Sequence, residues 1–262
     1  MEGSSPKVAL PHVDVLICVA CQLRCTGCTN FVGALPQTIE TIEDIVRDME
    51  AAAKVMHAGC VCLLGGEPTS HPKLVEIMRE AKRIGLGNTV QVLTNGMRLH
   101  RMKDDFWHEL DWLKISIYPG KTQPENIELA KQRQRQHGFR LDFYDVASDP
   151  FRAVLTTETR TQESAQSVYD GCWYKTFTRK IERGYFYRCC TSPSISQEIL
   201  GLGPDADGIK LDGLTAGALE AFLSQPEPAK SCFRCHGNYG PRLDGWSEVR
   251  GRDAWLEASA VA

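Results

Sequence analysis

At 262 residues, with 42% hydrophobic and 24% charged residues and a net charge of −3, the chain has an ordinary globular composition. That length suits one large domain with a smaller appendage. The near-neutral balance, without basic blocks, argues against a nucleic-acid or anionic-membrane surface. No run approaches the roughly 20 apolar residues of a membrane span. Met1–Lys7 carries one acidic and one basic residue, unlike a signal peptide, so the sequence reads as cytoplasmic.

From residue 13 the pattern alternates strand and helix. Val13–Val19 is an apolar run of the kind seen in buried parallel strands. Thr41 is placed to cap a helix, with Asp44 three residues on and Ile42, Ile45, Val46, Met49, Ala52, Ala53 and Met56 at helical spacing. Cys60–Leu64 reads as a second strand. Ser70 and Pro72 open a helix that carries Leu74, Ile77, Met78 and Ala81 and stops at Gly85. Val90–Thr94 is a third strand ending in Asn95–Gly96, and Leu113–Tyr118 a fourth closed by Pro119–Gly120. A polar helix over Pro124–Gln136 ends at Gly138, Leu141–Val146 is a fifth strand, and Ala153–Thr156 a sixth.

Such repeated β-α units imply an α/β fold with a parallel sheet and right-handed crossovers, here a partial (β/α)6 TIM-like barrel over residues 1–157. Functional loops of this architecture lie at the C-terminal ends of the strands. In the second region, 158–262, Thr176–Ile181 and Tyr185–Arg188 read as a hairpin turning at Gly184, followed by a short helix around Ala216–Leu223.

The eleven cysteines fall into groups, and in a reducing compartment clustered cysteines indicate metal or redox sites. Cys21, Cys25 and Cys28 follow the first strand with the spacing Cys-x3-Cys-x2-Cys. Three such thiolates can hold three irons of a 4Fe–4S cube and leave the fourth open, although zinc proteins also use close cysteines. Cys172, one of Cys189 and Cys190, Cys232 and Cys235 make a second soft donor set, fit for another cluster or a structural zinc. Cys18, Cys60 and Cys62 lie in apolar strand segments and read as small buried hydrophobes. The second strand runs into Gly65–Gly66–Glu67–Pro68. Paired glycines there let a ligand approach the backbone and Glu67 can accept from an ammonium group; a tight βα turn is the alternative.

Taken together, the cysteine trio and the Gly-Gly-Glu-Pro strand end closely resemble the radical S-adenosylmethionine (SAM) superfamily. The resemblance implies that Cys21, Cys25 and Cys28 hold a 4Fe–4S cluster whose open iron chelates SAM, with Gly65, Gly66, Glu67 and Pro68 around its methionine. It places Thr94, Asn95 and Ser116 at strand ends facing the same cofactor. Gly27 stands where the family carries an aromatic residue near the adenine, and Phe31 is the nearby aromatic to fill that space. The implied chemistry is electron transfer into SAM, giving a 5′-deoxyadenosyl radical that takes hydrogen from an unactivated C–H bond. An electron donor such as flavodoxin or ferredoxin is implied with it.

The C-terminal cysteines resemble the twitch module, a shortened SPASM domain with one auxiliary 4Fe–4S cluster. That resemblance implies ligands at Cys172, Cys189, Cys232 and Cys235; Gly184 at the hairpin points to Cys189, with Cys190 the second choice. The whole arrangement is similar to the 2-deoxy-scyllo-inosamine dehydrogenase type of radical SAM enzyme. It leads to the expectation of a small-molecule oxidoreductase acting on a sugar or aminocyclitol alcohol. Tyr118, Asp145 and Arg152 are the candidate substrate and catalytic contacts, and His236 stands beside Cys235. A peptide-modifying maturase is the alternative within the superfamily, and the short stretch before the first strand argues against a leader-binding domain. A non-catalytic iron–sulfur or zinc protein is the alternative outside it.

Overall fold

The computed structural model describes residues 6–261. Its first half follows the expected alternation: β1 (Val8–Cys18), α1 (Ile42–Val55), β2 (Met56–Gly65), α2 (Leu74–Ile84), β3 (Val90–Thr94), α3 (Asp104–Glu109), β4 (Trp112–Ile117), α4 (Pro124–His137) and β5 (Arg140–Asp145). Thr41 caps α1, its hydroxyl accepting from the Asp44 N–H at 3.2 Å. Gly85 and Gly138 end α2 and α4 in the left-handed conformation, φ +67° and +79°, where a side chain would be strained. The helices bury Ile45, Met49, Ile77 and Met78 against Val13, Val15 and Ile17 of β1 and Val61 and Leu63 of β2.

The remaining elements are β6 (Leu155–Thr156), α5 (Gln162–Gly171), α6 (Tyr174–Phe177), β7 (Lys180–Glu182), β8 (Tyr185–Tyr187), α7 (Ser192–Ser194), β9 (Gly208–Lys210), α8 (Ala216–Leu223), α9 (Arg252–Ala258) and β10 (Ala260–Val261). One eight-stranded sheet runs in the order β5-β4-β3-β2-β1-β7-β8-β9. Pairing is parallel from β5 through β7 and antiparallel beyond it. Among the described residues this sheet does not close, so the barrel is partial. No helix among them is long and apolar enough to cross a membrane.

Two expectations are corrected. The sixth barrel strand forms only over Leu155–Thr156, and it pairs with β10 instead of the main sheet. The free edge of β1 is taken by β7, with Asp14 beside Lys180 and Val15 beside Ile181. The 153–157 segment finds its backbone partners in the C-terminal stretch: Ala153 N–H donates to Pro241 O and Leu155 N–H to Ser259 O.

The hairpin also joins the barrel sheet instead of standing in a separate module. Ile181, Phe186, Leu211 and Leu219 pack in the same core as the first half. Its turn, Arg183–Gly184, has φ of +49° and +82°, the signature of a two-residue turn matched to strand twist.

Candidate functional site

The C-terminal ends of β1 to β4 surround a half-open cavity with about 680 Å³ of empty space. Cys21, Cys25 and Cys28 line it, together with Gly65, Gly66, Thr94, Asn95, Ser116, Tyr118 and Phe151. The loop is aligned by the end of β2: Gly66 N–H donates to Cys18 O and Glu67 N–H to Ala20 O, both at 2.8 Å. A side chain on Gly65 or Gly66 would collide with the backbone oxygens of Cys18, Val19 or Ala20. The glycines are therefore required by the neighbouring backbone, and their exposure to the cavity follows from that contact.

Glu67 differs from expectation. It is fully buried and does not line the cavity. Its Oε1 accepts from Thr69 N–H at 3.0 Å and from the hydroxyls of Thr69 and Thr94 at 2.6 Å. Its Oε2 accepts from Asn95 N–H at 2.7 Å. Burial pushes the carboxyl up, and these four donors oppose it. With three donors on Oε1 and one on Oε2, Glu67 ties the end of β2 to the end of β3. Pro68 is buried at the start of a 3-10 turn and is likewise outside the cavity lining. Asn95 carries the tie onward: its side-chain amide donates to Gln22 Oε1 at 3.1 Å and approaches Cys21 Sγ at 3.8 Å.

The sulfur atoms receive N–H groups. Leu23 N–H points at Cys21 Sγ at 3.4 Å, and the Trp246 indole N–H donates to Cys25 Sγ at 3.1 Å. Burial pushes the free thiols up, Cys25 to about 12, and Cys21 and Cys28 shift the same way. Holding them as thiolates therefore takes a cation or cluster, and N–H donors aimed at sulfur suit iron–sulfur ligation.

A C-terminal strap covering this loop had no counterpart in the sequence reading. Thr26 N–H donates to Ser247 O and Val249 N–H to Arg24 O, both at 3.0 Å. Glu248 accepts from Arg24 N–H at 3.1 Å and pairs with Lys121 at 2.8 Å. Gly27 N–H donates to Ser259 Oγ at 3.1 Å, and the Trp255 indole N–H to Cys25 O at 2.8 Å. The strap explains Gly27: its φ is +71°, and a Cβ there would sit 2.6 Å from Arg152 O and 2.9 Å from Leu243 Cδ1. Phe31 does not fill the space of a missing aromatic; it is fully buried against Trp255, ring centroids 5.3 Å apart. Tyr118 instead forms an aromatic wall with Phe151 and Trp246, at 6.2 and 5.5 Å.

Asp145 and Arg152 are not brought to the cavity. Asp145 is exposed and turns its carboxylate onto Ala147 N–H at 3.0 Å. Arg152 donates to Gly240 O at 2.9 Å. The chain after β5 curls on itself and then pairs with the strap, through Leu243 N–H to Phe151 O at 2.9 Å. That pairing presents Phe151 to the cavity instead.

The second cysteine group lines its own cavity, with about 430 Å³ of empty space. Cys172, Cys189, Cys232 and Cys235 all face it, whereas Cys190 is buried outside that lining. Gly237 N–H donates to Cys235 Sγ at 3.1 Å, and a Cβ on Gly237 would lie 3.0 Å from Cys172 Sγ. The donor set is entirely sulfur and fits an iron–sulfur cluster or zinc. His236 turns away, facing Arg160 Nη2 at 2.9 Å.

Comparison with known proteins gives three findings. Residues 15–122 match the family model of the Radical SAM superfamily. A GTP 3′,8-cyclase of Chlorobaculum tepidum is 35% identical over 109 residues, which is 40% of this chain and 32% of the cyclase; the match thus spans about a third of that relative. Among solved structures, BtrN in complex with AdoMet and 2-DOIA shares the fold with a TM-score of 0.55 at 8% identity, over 87% of this chain and 85% of that one. The matched stretch begins within β1, contains both the cysteine loop and the Gly65–Pro68 strand end, and closes just after β4. The similarity to the Radical SAM superfamily thus lies in residues 15–122, and that family implies SAM and a 4Fe–4S cluster as cofactors.

Proposed function

We propose that the protein is a radical SAM oxidoreductase that dehydrogenates an alcohol of a small polar substrate, a sugar or aminocyclitol, and that Cys172, Cys189, Cys232 and Cys235 hold an auxiliary 4Fe–4S cluster. The observation that carries this reading is the division of seven cysteines between two sulfur-lined cavities of one fold. Bound SAM and its cluster supply one-electron chemistry and hydrogen abstraction. Oxidising an alcohol removes two electrons, whereas one hydrogen abstraction removes a single one, so a second cluster favours dehydrogenation over a redox-neutral outcome. The fold likeness to BtrN supports the same class.

The chain's own residues bind and shelter. Cys21, Cys25 and Cys28 hold the SAM-binding cluster. The backbone of Gly65 and Gly66 and the strand ends at Thr94, Asn95 and Ser116 border the cofactor. Tyr118, with Phe151 and Trp246, forms a wall that excludes water from a reactive radical. Tyr118, which lines the cavity, is the proposed polar contact to substrate. Flavodoxin or ferredoxin is the proposed electron source.

Anaerobic reconstitution tests this. The wild type is expected to bind about eight irons per chain and, with SAM and dithionite, to form 5′-deoxyadenosine. Cys28→Ala should lower iron to about four and product to background. Intact cluster absorbance without 5′-deoxyadenosine would remove the enzyme reading, and about four irons with one zinc would remove the auxiliary cluster. Deuterium transfer from labelled aminocyclitols, sugars or peptides into 5′-deoxyadenosine then assigns the substrate class.

Trp246→Phe keeps the aromatic wall but deletes the N–H aimed at Cys25 Sγ. Hydrogen bonds to cluster sulfur raise its potential. The variant should therefore keep full iron content while its EPR-monitored midpoint potential becomes more negative; an unchanged potential would show that the indole only packs.

A further inference from the structure

We propose that His12, Asp14, Cys60 and Cys62 form a separate zinc-type metal site within the sheet, independent of the cluster reading. β1 and β2 run parallel with His12 directly beside Cys60 and Asp14 directly beside Cys62. Side chains two apart on a strand share a face, so these four residues make a two-by-two block on the face opposite the main helix-packed core. The register creates the block; nothing in either strand alone would.

The donor atoms are already close. His12 Nε2 lies 2.7 Å from Asp14 Oδ1. One ligand atom each from His12, Asp14 and Cys62 lies within 4.8 Å of the others. The ligands of a tetrahedral zinc stand roughly 3–4 Å apart, given metal–ligand bonds of about 2.0–2.3 Å, so small rotations suffice to close around an ion. Cys60, beside His12 in the register, is the fourth donor and has further to turn, because its sulfur lies outside the group of three within 4.8 Å.

A mixed imidazole, carboxylate and thiolate set suits zinc better than calcium or magnesium. Asp14 and Cys62 are 4% and 2% exposed, whereas the His12 side chain keeps 21% exposure and gives an ion a way in. Two thiolates and a carboxylate around a divalent ion leave one negative charge; buried Lys180 lies beside Asp14 on β7, where it also pairs with Glu182 at 2.9 Å. Asp14 precedes Cys18 by four residues on β1, about 13 Å at strand rise, so this site shares no ligand with the cysteine loop.

The test is metal analysis on the full-length reconstituted protein, incubated with zinc sulfate and desalted. About one zinc per chain is expected beside the full iron complement. Asp14→Asn and Cys62→Ser should each lower zinc at least fivefold and leave iron and 5′-deoxyadenosine formation unchanged. The zinc-edge absorption spectrum of the wild type should show a mixed nitrogen/oxygen and sulfur shell. Zinc absent from the wild type, zinc insensitive to both variants, or an all-sulfur shell would each overturn the proposal. Should the variants fail to fold, the wild-type spectrum decides alone. Loss of iron chemistry with zinc retained would instead count against the radical SAM reading.

Discussion

Glu67→Ala is expected to lower folding stability by about 3–5 kcal/mol, a cost typical of stranding the partners of a buried charged group. Removing the carboxylate leaves Thr69 N–H, Asn95 N–H and the hydroxyls of Thr69 and Thr94 without their acceptor in a sealed space. Each orphaned buried donor costs about 1–3 kcal/mol, and the hydroxyls recover part of this by rotating. Thermal unfolding in the absence of SAM reads it, at about 2–4 °C per kcal/mol for a chain of this size. Glu67→Gln should lose less, because one oxygen still accepts, but its amide hydrogens meet donors. The outcome separates two roles. If Glu67 served mainly as a partner for the SAM ammonium, the unliganded protein would keep its melting temperature and only SAM affinity would fall.

Trp255→Ala should cost a similar amount, about 3–5 kcal/mol for emptying a fully buried indole site. Trp255 has no exposed surface and donates to Cys25 O at 2.8 Å. It also packs on Phe31, whose backbone is held at φ +56°, a conformation a bulky residue adopts only when its surroundings impose it. Trp255 therefore anchors the strap and holds the cysteine loop in a conformation that does not persist unaided. Calorimetry should show the lower melting temperature, and limited proteolysis should cut the variant after residue 240 far faster than the wild type. Trp255→Phe, which keeps most of the ring and loses the N–H, should fall in between. Equal protease resistance in Trp255→Ala would show that the strap is fastened elsewhere.

Most of the barrel was legible because its signals are local. Val90–Thr94 and Ala216–Leu223 carry the predicted bounds, and helix ends form where Thr41 offers a capping hydroxyl and where Gly85 and Gly138, lacking a side chain, adopt positive φ. β1 and β2 begin earlier than their apolar runs, because His12 and His57 sit on pleats where periodicity shows nothing. The cysteine trio and Gly65–Gly66 announced the site by type and spacing. The partners of Glu67 are not legible in sequence because a carboxylate's neighbours depend on which strand lies beside it, here β3 with Thr94 and Asn95. Asp145 and Arg152 lie at or just after a strand end, where position points to the cavity, yet a curled loop turns both onto backbone partners. The strap has no periodicity to read, and Trp246 meets Cys25 across 221 residues of sequence. Cys60 and Cys62 look like filler until the register sets them beside His12 and Asp14.

The strap also imposes an order on biogenesis. During synthesis Cys21, Cys25 and Cys28 leave the ribosome more than two hundred residues ahead of Trp246 and Trp255, which cover them. Domains fold from the N-terminus as they emerge, so the barrel strands assemble while the thiols still lie open to solvent. Iron delivered in that interval meets an uncovered loop; iron delivered afterwards must first lift the strap. Under the proposed function, cluster loading thus competes with the closing of the strap.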